Sequence, residues 1–162
     1  MSSAERPAFA KEDAIRLEQW ITLRYRFAAG HHAARFFRAL RDQGKVLGTR
    51  DAEGHVMVPP RPVCGLSSLP MDEWVEVGPG GTLAGCTVVY VPFIDPMTGT
   101  ERPVPYGFGL IRFDGADTNI YHLLDATEPE RIGVGKRVEA VFKPRAERTG
   151  SLADIRHFRL ID

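Results

Sequence analysis

Only two of the 162 residues are cysteine, Cys64 and Cys86. That is too few for a disulfide framework, and the chain reads as cytoplasmic. Nothing approaches the roughly 18 consecutive apolar residues that a membrane span needs. The opening stretch MSSAERPAFAKEDAIR is polar and contains acids, which argues against a secretory leader. Net charge is absent too, since 21 Lys and Arg balance 21 Asp and Glu. Familiar catalytic spacings are also missing: there is no Gly-x-Ser-x-Gly elbow and no His-Glu-x-x-His. The cluster Gly78-Pro79-Gly80-Gly81 lacks the Lys-Ser/Thr and following helix of a phosphate loop, and reads as a strand bend. What is left is an ordinary globular composition, 43% hydrophobic, and no enzyme activity is expected from the chain alone.

The balanced charge is unevenly spread. Residues 1–50 hold ten Lys and Arg against five Asp and Glu, whereas residues 51–162 hold eleven against sixteen. Nucleic-acid binders set their excess Lys and Arg along the binding face. Here the acidic part is the part with strand signals, which weighs against a polyanionic partner.

Residues 12–28 have apolar side chains at helical spacing (Leu17, Trp20, Ile21, Ala28), and Gly30 is a natural stop. A second helix is predicted from His32 to Arg41, with Ala33, Phe36, Phe37 and Leu40 on one side. The pair either packs on the body or forms a protruding hairpin that presents Arg24, Arg26, Arg35, Arg38 and Arg41. From Gly44 to Pro70 the helical period is lost, and short extended pieces at Lys45–Thr49 and His55–Val58 alternate with turn chemistry. Such a segment is short of apolar residues and normally needs a staple. Strand signals then dominate: Glu73–Val77 joined through glycines to Thr82–Val91 as one bent strand, then Val104–Phe113, Ile120–Leu124, Arg137–Lys143 and Ile155–Ile161. Five strands with a long, bent first one suit a partly open OB barrel.

The segments RYRFAAGHHAARFFRALRDQGKVLGTR (24–50), VMVPPRPVCG (56–65) and EWVEVGPGGTLAGCTVV (73–89) carry a resemblance that PYGFGLIRFDG (105–115) and IGVGKRVEAVF (132–142) continue. Over residues 20–162 the chain resembles the zinc-ribbon/OB-fold family of acyl-CoA-associated proteins, long filed as a domain of unknown function. The resemblance implies a mainly β protein with N-terminal α structure. Residues 1–43 would be a helical hairpin, 44–71 a degenerate rubredoxin-like ribbon and 72–162 a five-stranded OB barrel. It also implies a non-catalytic accessory subunit of a thiolase-like or hydratase-like enzyme in lipid, steroid or polyketide-type metabolism, with acyl-CoA as a possible ligand.

The resemblance places the ribbon's four ligand positions at Arg50, Glu53, Cys64 and Ser67, so that only Cys64 can supply a thiolate. A structural zinc wants four N or S ligands, and an arginine stays protonated. Even with His55 as a substitute two ligands are missing, and neither zinc nor another cofactor is expected. An Arg50–Glu53 ion pair across the turn would add about 0–1 kcal/mol. Val56, Val58, Val63 and Leu69, packed on the barrel or a partner, are the better candidates for holding a segment expected to be the least stable part of the protein.

Cys64, following prolines, is expected to be accessible, and Cys86 is expected to be a small buried hydrophobe. His31 and His32 read as solvated, and His122 as a half-buried structural residue. For the phosphates of CoA the candidate contacts are Arg35, Arg38, Arg61, Lys136 and Arg137. Of Phe36 and Phe37, which diverge by about 100° on a helix, one can enter the core while the other meets a partner or an acyl chain. The competing function is an OB module for single-stranded nucleic acid, with Trp74, Tyr90, Tyr106 and Phe108 as stacking aromatics.

Overall fold

The structure is a computed structural model that describes residues 28–92, 94 and 99–161. The first expected helix, with Arg24 and Arg26, lies outside the described residues apart from Ala28. The second is α1 (Gly30–Gln43), two residues longer at each end than the apolar pattern predicts. Phe36, Ala39 and Leu40 recur at the three- and four-residue spacing of one helix face and are its buried side chains. Gly44, in the left-handed region at φ 66°, ends it and donates its N–H to the Leu40 carbonyl.

Two sheets follow. In the first, β1 (Val46–Arg50) lies between β2 (Val56–Met57) and β3 (Glu73–Val77), all antiparallel. In the second, β4 (Gly80–Val89), β5 (Tyr106–Phe113), β6 (Asn119–Leu124), β7 (Arg137–Phe142) and β8 (Ile155–Ile161) close into a barrel of order β4-β5-β6-β8-β7. Every barrel pair with an extended register is antiparallel, β6 meets β8 in parallel, and β4 closes on β7 through Gly81↔Val138 and its neighbours. This is the mainly β architecture with a five-stranded OB barrel that the pattern predicts.

One strand assignment needs correcting. Glu73–Val77 is not the first half of the barrel's first strand, because it pairs with β1 from Val46↔Val77 to Arg50↔Glu73. Gly78, at φ 69°, turns the chain between β3 and β4, and an added Cβ there would lie 2.8 Å from the Phe113 ring. The barrel still has five strands, with its first beginning at Gly80.

One apolar cluster runs through the whole arrangement: Phe36 and Leu40 from α1, Val46, Val56 and Val58 from the small sheet, and Leu83, Ile111, Phe113, Val138, Ile155 and Phe158 from the barrel. A smaller cluster of Met57, Cys64 and Met71 sits beneath the turns of the small sheet. Backbone bonds also join the two sheets. Val56 N–H donates to the Asp117 carboxylate at 2.7 Å, and Asp117 N–H returns to the Val56 carbonyl at 2.8 Å.

Candidate functional site

Three regions carry the residues with functional potential. The first is where the ribbon's ligands would converge. Asp51 begins a turn ending at Gly54 (φ 94°), and its Oδ1 accepts the N–H groups of Glu53 and His55 at 3.0 and 2.8 Å. Its Oδ2 accepts the Ser67 hydroxyl at 2.6 Å and lies 3.0 Å from His55 Nδ1. In a second turn, Cys64 Sγ accepts the Leu66 N–H at 3.4 Å, and Ser68 closes it at φ 63°. Among the described residues, Asp51, His55 and Cys64 bring their ligand atoms within 4.8 Å of one another.

Burial alone would push the Asp51 carboxyl up, but hydrogen bonds from Ser67, Cys64 and His55 together hold it well below the usual carboxylate range. The Asp51 hydrogen bond chiefly raises His55 above an ordinary imidazole, with burial opposing and the charges of Asp51, Glu53 and Asp117 adding.

These contacts revise the expected ligand positions. Arg50 does not cross the turn to Glu53. It points outward and pairs at 2.9 Å with Glu73, its register partner on β3. Glu53 is solvent-facing, its Oε2 3.9 Å from His55 Nδ1. Cys64 is not accessible but buried at 2% exposure, because its turn folds it over Met57 and Met71. Val56 and Val58 do enter the core, whereas Val63 is exposed. The signal for Asp51 was present in the sequence as Asp-x-x-Gly, an Asx-turn pattern.

The trio supplies three of the four ligands that a closed structural zinc site uses. Ligands about 2.0–2.3 Å from a tetrahedral centre stand roughly 3.3 Å or more apart. Ser67 Oγ and Asp51 Oδ2, at 2.6 Å, are instead in direct hydrogen-bond contact.

The second region is the outer face of α1. The guanidinium of Arg35 lies 4.3 Å above the Trp74 ring, and His32 stacks on the same indole at 5.4 Å. His31 meets Trp74 edge-on at 6.2 Å. The two histidines are therefore part of an aromatic stack on β3. Arg35 and Arg38 line an open hollow of about 420 Å³ with Lys45, Leu47 and Glu76. Phe36 is 2% exposed, and Phe37 is partly buried against the same core. Arg61 is exposed beyond β2. Lys136 Nζ caps the Arg131 carbonyl, and Arg137 forks onto Asp114 at 2.7 and 2.5 Å.

The third region is the barrel surface. Tyr90, Val91 and Ile94 are 59%, 74% and 68% exposed. Tyr90 adjoins a hollow of about 390 Å³ lined by Cys86, Thr87, Val88, Pro129 and Ile132. Cys86 is half-buried against the core. Around the barrel, Phe108 and Tyr121 stack on one another at 5.9 Å with their planes 6° apart. His122 is 9% exposed, more deeply buried than expected, and its Nδ1 has no hydrogen-bond partner among the described residues. Burial lowers its pKa, and the Leu152 and Leu123 backbone only partly offsets that. Among the described residues no helix is long and apolar enough to cross a membrane.

Residues 74–143 match the family described as the ChsH2 C-terminal OB-fold domain. A DUF35 domain-containing scaffold protein of Pyrococcus furiosus is 28% identical over 108 residues, which cover 67% of this chain and 76% of that protein. Among solved structures, an Ltp2–ChsH2(DUF35) aldolase aligns with a TM-score of 0.58 at 20% identity, over 83% of this chain and 97% of the other. A DUF35-family protein of unknown function from Sulfolobus solfataricus aligns with a TM-score of 0.56 at 19% identity, over 82% and 83% of the two chains. The barrel is an OB fold, and residues 74–143 carry the sequence pattern of the ChsH2 C-terminal domain.

Proposed function

We propose that the chain is a non-catalytic accessory subunit of a thiolase-like or hydratase-like enzyme of acyl-CoA metabolism, working in the cytoplasm, and that it belongs to the DUF35 proteins it resembles. The observation that carries this reading is the exposed apolar run Tyr90, Val91 and Ile94 leading out of β4. Clustered exposed apolar side chains mark protein–protein contact sites. In support, the Pyrococcus furiosus relative is described as a scaffold protein, and a structural neighbour is an aldolase containing a ChsH2 chain. The test is co-expression with a thiolase-like chain encoded beside it. The two are expected to co-elute, and Tyr90→Asp with Val91→Asp is expected to separate them while leaving the barrel's melting temperature unchanged. Wild-type chains that elute apart would end this reading.

A nucleic-acid module has one observation in its favour, the Phe108–Tyr121 pair, with Tyr121 66% exposed. Those rings stack on each other, however, and residues 51–162 carry excess acid. Fluorescence titration with an oligonucleotide at low salt separates the two readings, since tight, salt-sensitive binding would reverse their order.

A further inference from the structure

In a zinc knuckle, a cation ties two turns by collecting lone pairs from four ligands. The two turns here are tied with the opposite polarity. The central atom group is an anion, the Asp51 carboxylate, with its side chain fully covered. What converges on it are donors: the N–H groups of Glu53 and His55, the His55 ring and the Ser67 hydroxyl.

The direction of the Ser67 bond follows from its other contact. Leu69 N–H donates to Ser67 Oγ at 3.2 Å, which leaves the hydroxyl proton for Asp51. The second turn is itself closed by Cys64 N–H to the Leu69 carbonyl and Ser68 N–H to the Cys64 carbonyl, at 2.9 and 3.0 Å. Thr49 adds a second strut, since its hydroxyl oxygen lies 3.0 Å from both the N–H and the carbonyl of Arg61.

We propose that the Asp51 carboxylate stands where a ribbon holds its metal, so that residues 51–69 form a metal-independent knuckle fastened by a buried anion. Charged or titratable groups surround it on each side. They are His55 and Glu53 from its own turn, Cys64 from the opposite turn, and Asp117 from the β5–β6 turn, whose carboxylate is occupied by Val56 N–H. No Lys or Arg forms a salt bridge with Asp51 among the described residues, so the neutral donors and the histidine carry the compensation. A divalent ion entering here would have to displace a donor from Asp51, because each of its oxygens already has two donors within hydrogen-bond distance.

The full chain, purified without chelator and then dialysed against zinc, is to be assayed for bound metal and for amide exchange with and without a chelator. The expected result is no stoichiometric metal and exchange unchanged by the chelator. Ser67→Ala should then speed exchange at Glu53, His55 and Leu69 roughly ten- to a hundredfold, the effect of losing one hydrogen bond to a buried charge. Asp51→Asn should speed it further. If that variant does not fold, Ser67→Ala and the metal assay still decide. One zinc retained per chain, with exchange rising on chelation, would overturn the proposal, and so would a Ser67→Ala variant that exchanges like wild type.

Discussion

The hydroxyl oxygen of Thr118 lies 2.7 Å from both the amide nitrogen and the carbonyl oxygen of Val58, 60 residues earlier in the chain. One side chain accepts from and donates to the same residue, so the free edge next to β2 is closed by the β5–β6 turn. Asp117 holds Val56 with two groups, its carboxylate accepting the Val56 N–H and its own backbone N–H donating to the Val56 carbonyl. A two-residue strand paired on one side would otherwise leave its polar backbone groups without partners. The three-stranded sheet is thus bolted to the barrel by bonds to the Val56 and Val58 backbone as well as by their side chains.

Thr118→Val keeps the shape of the side chain but strands a donor and an acceptor. The expected cost is about 1–3 kcal/mol, read from urea unfolding. Amide exchange should rise most at residues 56–58. An equal rise across the barrel would mean that the bond is not a local clamp. The wild-type exchange map also tests whether residues 44–71 are the least stable part of the protein.

Glycines in the barrel differ sharply in what a methyl group would meet. A Cβ on Gly107 would lie 2.1 Å from the Ala126 carbonyl oxygen, backbone that cannot step aside. At Gly85 it would meet only Leu110 side-chain carbons, the nearest at 3.6 Å, an ordinary contact. Gly107→Ala is expected to cost about 3 kcal/mol or more through forced backbone movement, and Gly85→Ala less than about 1. Similar melting curves for the two variants would show that β5 does not approach the Ala126 backbone this closely.

How much of this could be read in advance follows from which interactions are local. The late strands alternate apolar and polar residues, and β8 runs over the predicted Ile155–Ile161. The helix face through Phe36 and Leu40 was equally plain. Partnership was not. Glu73–Val77 looks the same whether it bends into the barrel or pairs with β1, because period-two patterning says which face is buried and not which neighbour is bonded. Aligning ligand positions put Arg50 and Glu53 inside the turn, whereas the register that sets Arg50 beside Glu73 turns Asp51 inward instead. The Arg35–Trp74 contact joins a helix to a strand 39 residues away in sequence, and no spacing rule reports it.

His55 and His122 should titrate on opposite sides of the ordinary imidazole pKa of about 6.5. Contact with Asp51 raises the first, and burial lowers the second. For His55, stabilisation is complete below the unfolded value of about 6.5 and is lost as pH rises through the higher native pKa. For His122, the lowered value makes acid unfavourable, and stability falls as pH drops below about 6.5 toward it. Ring-proton NMR across pH 5–9 (roughly the window in which imidazoles change charge) measures both. Superimposable curves would remove the assigned environments.

Asp154 is fully buried and accepts the N–H groups of Thr149, Gly150 and Ser151 at 2.8, 2.8 and 3.3 Å. Burial opposes ionisation, yet these bonds hold the carboxyl below its usual range. Its stabilisation is present above the unfolded carboxyl pKa of about 3.9 and is lost as pH falls through the lower native value. Asp154→Asn should cost about 2–3 kcal/mol near neutral pH, with the gap to wild type narrowing in acid. A gap that stays constant with pH would assign the loss to shape and not to charge.

The basic residues singled out for a phosphate-bearing ligand now divide into two sets. Arg137 has its donors engaged, on Asp114 twice and on Thr82 at 3.0 Å. Arg35 and Arg38 line a hollow open to solvent, with Arg35 held flat against Trp74. If CoA is bound by this chain, the diphosphate has to be met by guanidinium groups that are available to turn toward it. Calorimetry with CoA should therefore show its heat lost in the Arg35→Ala, Arg38→Ala double variant. That variant should lose only the Arg35–Trp74 contact in urea unfolding, about 0.5–1 kcal/mol. Arg137→Ala should keep the heat and lose a little stability, since removing it leaves Asp114 unpaired at the β4–β7 seam. The reverse pattern, with binding lost at Arg137 and kept in the double variant, would move the ligand site from the helix face to the barrel.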